Sequence, residues 1–131
     1  MSNDRVQVKI SSFGFKYGAA PSDGCVFDVR CFPNPFYIEE LKPLCGLDDA
    51  VYDYVFSFEE SRAFAEKVTS LIEDLVPLFE KRDPEKPLCV AFGCTGGRHR
   101  SVSFARRVYD ALTEKGYVCT LTHRELSGSG L

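Results

Sequence analysis

Residues 94–101 read Cys-Thr-Gly-Gly-Arg-His-Arg-Ser and combine a thiol, two glycines and three basic side chains. The apolar run 88–92 precedes them and an amphipathic helical pattern follows, which predicts a turn between a strand and a helix. Such a turn points backbone N–H groups inward, uses glycine where φ is positive, and gains the positive end of the helix dipole. A phosphate is the anion that suits it best. The candidate site comprises Cys94, Thr95, Gly96, Gly97, Arg98, His99, Arg100 and Ser101.

The same spacing also fits the cysteine-dependent phosphatases, in which a thiolate attacks phosphorus and an arginine holds the equatorial oxygens. Cys94 would then be the nucleophile and Arg100 the oxyanion ligand. Against catalysis, Gly93 replaces the histidine that usually precedes the cysteine, and the chain has no Trp for a Trp-Pro-Asp acid loop. The reaction needs a general acid. The carboxylates left for that role, by default, are Asp23, Asp28 and Asp53.

The composition predicts one globular domain. The chain has 131 residues, of which 44% are hydrophobic and 27% charged, enough to bury a core. No apolar run reaches the roughly 20 residues that cross a bilayer, and the first five residues lack the apolar core of a signal peptide. We expect a single cytoplasmic domain over residues 1–131, with its core at about 6–125, a flexible tail at 126–131 and no membrane partner.

The six cysteines contain no C-x-x-C pair, and the two histidines are not at metal-ligand spacing. Neither a disulfide framework nor a metal site is therefore predicted, and no cofactor is expected. Four cysteines lie in apolar strand-like runs, where a free thiol acts as a small buried hydrophobe: Cys25, Cys31, Cys89 and Cys119. Only Cys94 has the polar surroundings that could lower a thiol pKa, so we expect one reactive and five structural cysteines.

Alternating apolar and polar residues predict a first strand over 6–12. The nearly continuous apolar run 25–32 predicts a second strand that is buried on both faces. Further strands are predicted over 88–92 and 117–122. These strands alternate with helical segments, which is typical of an α/β fold.

Two long helices are predicted between these strands. Ser-Phe-Glu-Glu at 57–60 resembles a capping box and predicts the start of the first helix. Its buried stripe is expected to consist of Phe64, Val68, Leu71, Ile72, Leu75 and Phe79. The second helix is predicted over about 101–115, with Gly116 as the left-handed residue that ends it. The predicted fold is thus a single α/β domain, a mainly parallel sheet flanked by helices, with a Cys-Thr-Gly-Gly anion-binding loop between strand and helix.

Ligands of parallel sheets bind beyond the carboxyl ends of the strands. Besides the turn at 94–101, the segments that leave those ends carry Lys16, Arg30, Asn34, His123 and Arg124. Five of the 16 Lys and Arg residues thus meet at one rim, while the other eleven face 19 Asp and Glu residues. An acidic protein with one basic mouth suits a small anionic ligand.

Structural roles remain open for several of these side chains. Arg30 could pair with Asp28, His123 could be satisfied at the end of its strand, and Lys16 could be solvated. We expect the aromatic residues of the first loop to pack that loop rather than to stack on a base. These residues are Phe13, Phe15 and Tyr17.

The assembled segments resemble the C-terminal domain of the RapZ family, bacterial adaptors once classed as P-loop nucleotide-binding proteins. The resemblance extends over about residues 6–125. It rests on the motifs at 12–18 (Ser-Phe-Gly-Phe-Lys-Tyr-Gly), 27–30 (Phe-Asp-Val-Arg), 33–35 (Pro-Asn-Pro), 46–48 (Gly-Leu-Asp), 93–102 and 123–124 (His-Arg). It implies a domain similar to a subdomain of phosphofructokinase. It also implies that the domain oligomerises, binds an aminosugar phosphate in the pocket built by these motifs, and contacts a small RNA and a ribonuclease.

Two departures limit what the resemblance implies. The family's N-terminal kinase-like domain has no counterpart here, and no G-x-x-x-x-G-K-[ST] occurs, so nucleotide binding through a Walker loop is not expected. The family's lysine-rich C-terminal end, which supports RNA contact, is replaced by Glu-Leu-Ser-Gly-Ser-Gly-Leu at 125–131. This replacement argues against RNA binding.

The leading hypothesis is a non-catalytic module that binds a small phosphorylated metabolite, a sugar or aminosugar phosphate, and acts as a regulatory adaptor. Its expected partners are further copies of itself and another protein. Backbone amides of residues 95–98 and the Arg100 guanidinium would hold the phosphate, with Ser101 as helix N-cap. The sugar would be read by Arg30, Asn34 and His123. A phosphatase that uses Cys94 and Arg100 and an RNA-contacting adaptor remain as alternatives.

Overall fold

Four parallel strands form one sheet in this computed structural model, which describes residues 6–21 and 24–127. The strands are β1 (Val8–Gly14), β2 (Cys25–Asp28), β3 (Leu88–Cys94) and β4 (Cys119–His123). Their order across the sheet is β2-β3-β1-β4, and every neighbouring pair is parallel. This confirms the predicted α/β fold with a parallel sheet. In this register Gly14 lies opposite Cys94, so the first loop starts beside the basic turn.

The described residues form four α-helices that flank the sheet: α1 (Asp49–Val55), α2 (Glu59–Arg82), α3 (Arg100–Glu114) and α4 (Arg124–Ser127). Helix α3 packs against β1, β3 and β4, and α2 packs against α3. Gly116 follows α3 with φ 95°, which confirms the predicted helix end. Within the described part of the chain, none of the helices combines the length and apolarity that a bilayer crossing requires.

The core lies between α3 and the sheet. Phe104 of α3 is fully buried, and its ring contacts those of Phe32, Phe56, Phe64 and Phe92 at centroid distances of 4.8 to 6.5 Å. These rings come from β3, from α2, and from the segments that follow β2 and α1. The aromatic cluster thus fixes the chain that leaves β2, which later contributes to the candidate site.

The second strand is shorter than predicted and is not buried on both faces. Strand β2 ends at Asp28 because that carboxylate accepts a hydrogen bond from Arg30 N at 2.9 Å, which turns the chain. Since β2 is an edge of the sheet, its residues alternate in burial and Val26 is 42% exposed. Cys31, predicted to be buried in this strand, is exposed in the turn that follows.

Helix α2 differs from its prediction in its start and in its stripe. The capping box does not form, because Ser57 Oγ donates to Tyr54 O and the N-cap residue is Phe58. The buried apolar residues of α2 are Ala65, Val68, Ile72 and Val76. Leu71 was predicted to be buried but is 42% exposed, because it lies about 100° around the helix from the middle of this stripe.

Leu126 and Ser127 were assigned to the flexible tail, but they belong to α4, and Leu126 is only 3% exposed. The remainder of that predicted tail, residues 128–131, lies outside the described residues. Short 3₁₀ helices at Phe15–Tyr17 and Pro35–Tyr37 follow β1 and β2.

Candidate functional site

A cavity of about 620 Å³ opens at the carboxyl ends of β1, β2 and β3. Three segments line it, one after each of these strands. Its lining residues are Lys16, Tyr17, Asn34, Phe36, Tyr37, Lys42, Pro43, Cys94, Thr95, Gly96, Arg98, His99 and Arg100. The predicted rim of a parallel sheet therefore contains a cavity of the size that small metabolites occupy.

The charge of this cavity is one-sided. Lys16, Lys42, Arg98 and Arg100 contribute positive charge, and none of the described residues that line it is an Asp or Glu. The chain as a whole carries a net charge of −3. A concave site with concentrated positive potential on an acidic protein attracts anions.

Arg100, the first residue of α3, is the most constrained of these cations because it is only 5% exposed. Its Nη1 donates to Arg30 O at 2.6 Å and to Phe32 O at 3.0 Å. Its Nε is buried and has no partner in the described structure. Nε and Nη2 form the guanidinium edge that binds an oxyanion through two parallel hydrogen bonds. The backbone carbonyls thus hold one side of Arg100 and leave this edge for a ligand.

The turn between β3 and α3 is organised around the Cys94 sulfur, which is almost completely buried. The thiol donates to Ser101 Oγ at 3.2 Å, and Sγ accepts from Gly97 N at 3.3 Å and Ser101 N at 3.5 Å. Two backbone amides therefore point at the sulfur. In the described structure, the amides of Gly96 and Arg98 donate to no other backbone group.

Gly97 has φ 74°, which confirms the prediction of a positive φ in this turn. Neither Gly97 nor Ser101 lines the cavity. Ser101 was predicted to be the N-cap of α3, and this prediction is wrong. The helix begins one residue earlier, at Arg100, and His99 occupies the N-cap position without a side-chain cap.

His99 connects the turn to the segment after β2. It is 8% exposed, and its Nε2 donates to Lys42 O at 3.2 Å. Burial lowers the pKa of His99 from its ordinary value of 6.5; the carbonyls of Lys42 and Leu44 oppose this shift, and the Arg98 and Arg100 charges add to it. His99 is therefore a neutral hydrogen-bond donor at neutral pH.

Stability should fall in mild acid because of the histidines. Burial also lowers the pKa of His123 from 6.5. As the pH falls through about 6.5, the histidines of the unfolded chain bind protons that the same histidines in the folded state do not yet bind. The free energy of unfolding therefore decreases as the pH falls. Between about pH 7 and pH 5 each histidine should make the free energy of unfolding rise with pH, with an upper limit of about 1.4 kcal/mol per pH unit. Urea titrations of the wild type and of His99→Gln measure it; an equal slope in both would exclude His99 as a source.

Arg30 lies outside the cavity lining, although it was predicted to read the ligand. Its Nε and Nη2 bind the Asp28 carboxylate at 2.7 to 3.1 Å, and its guanidinium lies 4.0 Å from the centroid of the Phe15 ring. Hydrogen bonds from Arg30 lower the pKa of Asp28. The structural pairing left open by the sequence is the one that forms, and the Arg30 carbonyl accepts a hydrogen bond from the cavity residue Arg100.

His123 and Arg124 also lie outside the lining. His123 Nδ1 contacts Ser12 Oγ at 2.7 Å, while its Nε2 is buried without a partner among the residues that the structure describes. Arg124 binds backbone carbonyls of the first loop. Both side chains therefore contact the end of β1 from outside the cavity.

Apart from Asn34, the sequence missed the side of the cavity that follows β2. Asn34 caps the 3₁₀ helix Pro35–Tyr37, since its Oδ1 accepts from Phe36 N at 3.0 Å. This short helix presents Phe36 and Tyr37, and Lys42 Nζ lies 4.6 Å from the Phe36 ring centroid. Pro43 completes this wall. The Asn-Pro pair was the one available signal, because it marks a capped helix start.

The aromatic residues of the first loop divide between packing and the cavity. Phe13 is fully buried and Phe15 packs edge-on against it at a centroid distance of 4.8 Å. Tyr17 was predicted to pack in the same way, but it is 60% exposed and lines the cavity.

Of the predicted general acids, the two that the structure describes, Asp28 and Asp53, do not line the cavity. Asp28 pairs with Arg30, Asp53 is exposed on α1 away from the cavity, and Asp23 lies outside the described residues. In the described ranges 6–21 and 24–127, no group of three or more His, Cys, Asp or Glu residues could hold a metal ion.

Fold and site together define a parallel α/β domain with a cationic cavity at its strand ends. Residues 6–127 match the RapZ C-terminal domain, and the chain belongs to this family. The resemblance stated from the motifs is thereby confirmed.

Curated relatives agree with this family. A protein of Carboxydothermus hydrogenoformans named nucleotide-binding protein is 47% identical over 122 residues, which cover 93% of this chain and 42% of the relative. Proteins of the same description from Lactobacillus acidophilus and Clostridium novyi are 48% and 44% identical over 92% and 95% of this chain. The chain spans about two fifths of the length of these relatives.

Proposed function

We propose that this domain binds a small phosphorylated metabolite, a sugar or aminosugar phosphate, in the cavity at its strand ends and does not convert it. The observation that carries the proposal is the buried Arg100 guanidinium, whose Nε has no partner in the described structure. A buried charged donor without a partner is costly unless a ligand completes it. An oxyanion is the partner that its free edge fits.

The phosphate would lie against Arg100 and the turn. Arg98 adds a second charge there, and the free amides of Gly96 and Arg98 can donate to the same oxygens. The remainder of the ligand would face Asn34 and the exposed rings of Tyr17 and Tyr37. Aromatic faces and an amide suit a polar ring that carries hydroxyl groups.

Binding is favoured over phosphoryl transfer by the state of Cys94. A nucleophilic thiol must reach phosphorus, whereas Cys94 is 2% exposed and hydrogen-bonded to Ser101. The described lining also offers no carboxylic acid to protonate a leaving oxygen.

The regulatory role follows from where the ligand would sit. It would bridge three segments that come from three different strands, so binding would favour one arrangement of those segments over others. A protein partner or a second copy that contacts these segments would respond to the ligand, which is how an adaptor could report a metabolite. Within residues 6–21 and 24–127, no structural observation favours the alternative of direct RNA contact.

Calorimetric titration tests the proposed function. Glucose 6-phosphate and glucosamine 6-phosphate should bind, inorganic phosphate should bind more weakly, and unphosphorylated glucose should produce no heat. The name of the relatives makes AMP and ATP the necessary competitors. Tighter binding of a nucleotide would replace sugar phosphates as the ligand class, and no heat from any phosphate at millimolar concentration would overturn the proposal.

An assay with an aryl phosphate tests the absence of turnover. We expect no release of the aryl alcohol above background. Release that disappears in Cys94→Ser would instead identify the domain as a phosphatase.

A further inference from the structure

The wall of the cavity that follows β1 is a short loop with little support of its own. The 3₁₀ helix Phe15–Tyr17 brings Lys16 and Tyr17 to the cavity, and glycines at 14 and 18 flank it. Gly18 has φ 133°, a conformation that is open mainly to glycine. Lys16 N donates to Thr95 O at 3.2 Å, a single backbone contact with the turn at 94–101. Phe15 is packed against Phe13 and Arg30, and the two ends of the loop are held from the C-terminal helix.

Arg124, at the start of α4, holds both ends of this loop. Its Nη1 donates to Ala19 O at 2.6 Å, and its Nη2 lies 3.2 Å from Gly14 O and 3.5 Å from Gly18 O. Its guanidinium also lies 5.4 Å from the Phe13 ring centroid. The fixed geometry of a guanidinium lets one side chain restrain several carbonyls at once, which a lysine cannot do.

Glu125 fixes Arg124 and reaches the phosphate turn. Its carboxylate accepts from Arg124 Nε at 2.7 Å and from Gly14 N at 3.0 Å. The Glu125 Cγ lies 2.5 Å from the position that a Cβ on Gly97 would occupy. Leu126, which is 3% exposed, anchors the same helix in the core. Helix α4 thus contacts both the first loop and the turn at 94–101 from outside the cavity.

We propose that Arg124 is a positioning residue for the ligand and acts through Lys16. It does not line the cavity, so its effect on affinity depends on holding residues 14–19 in the arrangement that places the Lys16 ammonium group at the cavity. The inference rests on the proposed function, because it needs an anion in the cavity for Lys16 to attract. It makes α4 a place from which ligand affinity is controlled.

A double-mutant cycle tests this inference, with inorganic phosphate as the probe in an NMR titration. Lys16→Ala and Arg124→Ala should each weaken phosphate binding about fivefold, and the double variant should also lose about fivefold rather than the roughly 25-fold expected of independent residues. Arg124→Lys should lose nearly as much as Arg124→Ala, because it keeps the charge but not the fork. Arg62→Ala is the matched control, since Arg62 also donates to a backbone carbonyl (Phe56 O, 2.9 Å) but lies away from the cavity.

The outcomes separate the two proposals. If the wild type binds neither inorganic phosphate nor glucose 6-phosphate, both the function and this inference are overturned. If it binds and Lys16→Ala weakens binding, then unchanged binding in Arg124→Ala, full rescue by Arg124→Lys or additive losses would each overturn the inference alone. Should Arg124→Ala not fold, the cycle is run with Arg124→Lys, for which the same non-additivity is required.

Discussion

Arg100→Ala should weaken binding of a phosphorylated ligand at least tenfold, which corresponds to about 1.4 kcal/mol. Arg100 is only 5% exposed, and its Nε has no partner in the described structure. None of the described residues that line the cavity is a carboxylate that could neutralise the guanidinium. Two parallel charge-assisted hydrogen bonds to a phosphate are stronger than the contacts of an exposed lysine. The dissociation constant for a hexose phosphate measures the effect.

Two further variants separate the effect of the paired guanidinium hydrogen bonds from the effect of the positive charge. Arg100→Lys keeps the positive charge but cannot form the paired hydrogen bonds, so it should still lose most of the affinity. Arg30→Ala removes a nearby arginine whose side chain is bound to Asp28 and lies outside the cavity lining, so it should bind nearly as the wild type does. Thermal melts should accompany both, since Arg100 also supports the carbonyls of Arg30 and Phe32. An unchanged dissociation constant in a folded Arg100→Ala variant would place the ligand elsewhere.

Gly97→Val should lower the free energy of unfolding by roughly 2–6 kcal/mol, from backbone strain and overpacking together. Gly97 has φ 74°, a conformation that a β-branched residue does not adopt without strain. A Cβ there would also lie 2.5 Å from Gly14 N and 2.7 Å from the Phe13 carbonyl carbon. Those backbone atoms belong to the end of β1 and cannot move without disturbing the sheet. Urea denaturation measures the loss.

Gly96→Ala is the control for this prediction. No heavy atom lies within 4 Å of the position that its Cβ would occupy, and its φ is not positive. It should therefore unfold at nearly the same urea concentration as the wild type. Equal stability of Gly97→Val and Gly96→Ala would show that the turn does not pack on β1 as described.

The two glycines also show how the site is held. The sequence indicated that glycines in this turn serve the ligand, by letting the backbone wrap an anion. In the structure Gly97 serves the fold, since it brings the turn against Gly14 and directs its amide to the Cys94 sulfur. The cavity is lined instead by Gly96 and by the side chains around it.

The sequence by itself determined the α/β fold, the position of α3 and the basic turn in front of it. These features are local: the periodicity of apolar residues and the glycines at 97 and 116 depend only on neighbouring residues. The cations of the turn were predictable for the same reason, because residues 94–100 are contiguous and therefore stay together in any fold. Lys16 and Asn34 could be added because strand ends of a parallel sheet meet at one edge.

Only the tertiary structure decided which other side chains reach the cavity. Arg30 and Arg124 follow strand ends as Lys16 does, yet they bind Asp28 and the first-loop carbonyls instead. Tyr37 reaches the cavity because it belongs to the 3₁₀ helix Pro35–Tyr37. Lys42 is held there by a hydrogen bond to its carbonyl from His99, which is 57 residues away in the chain. The Arg100 guanidinium is held by hydrogen bonds to the carbonyls of Phe32 and Arg30, which lie 68 and 70 residues earlier in the chain. Such contacts depend on the burial and direction of distant groups, which periodicity and spacing along the chain do not encode.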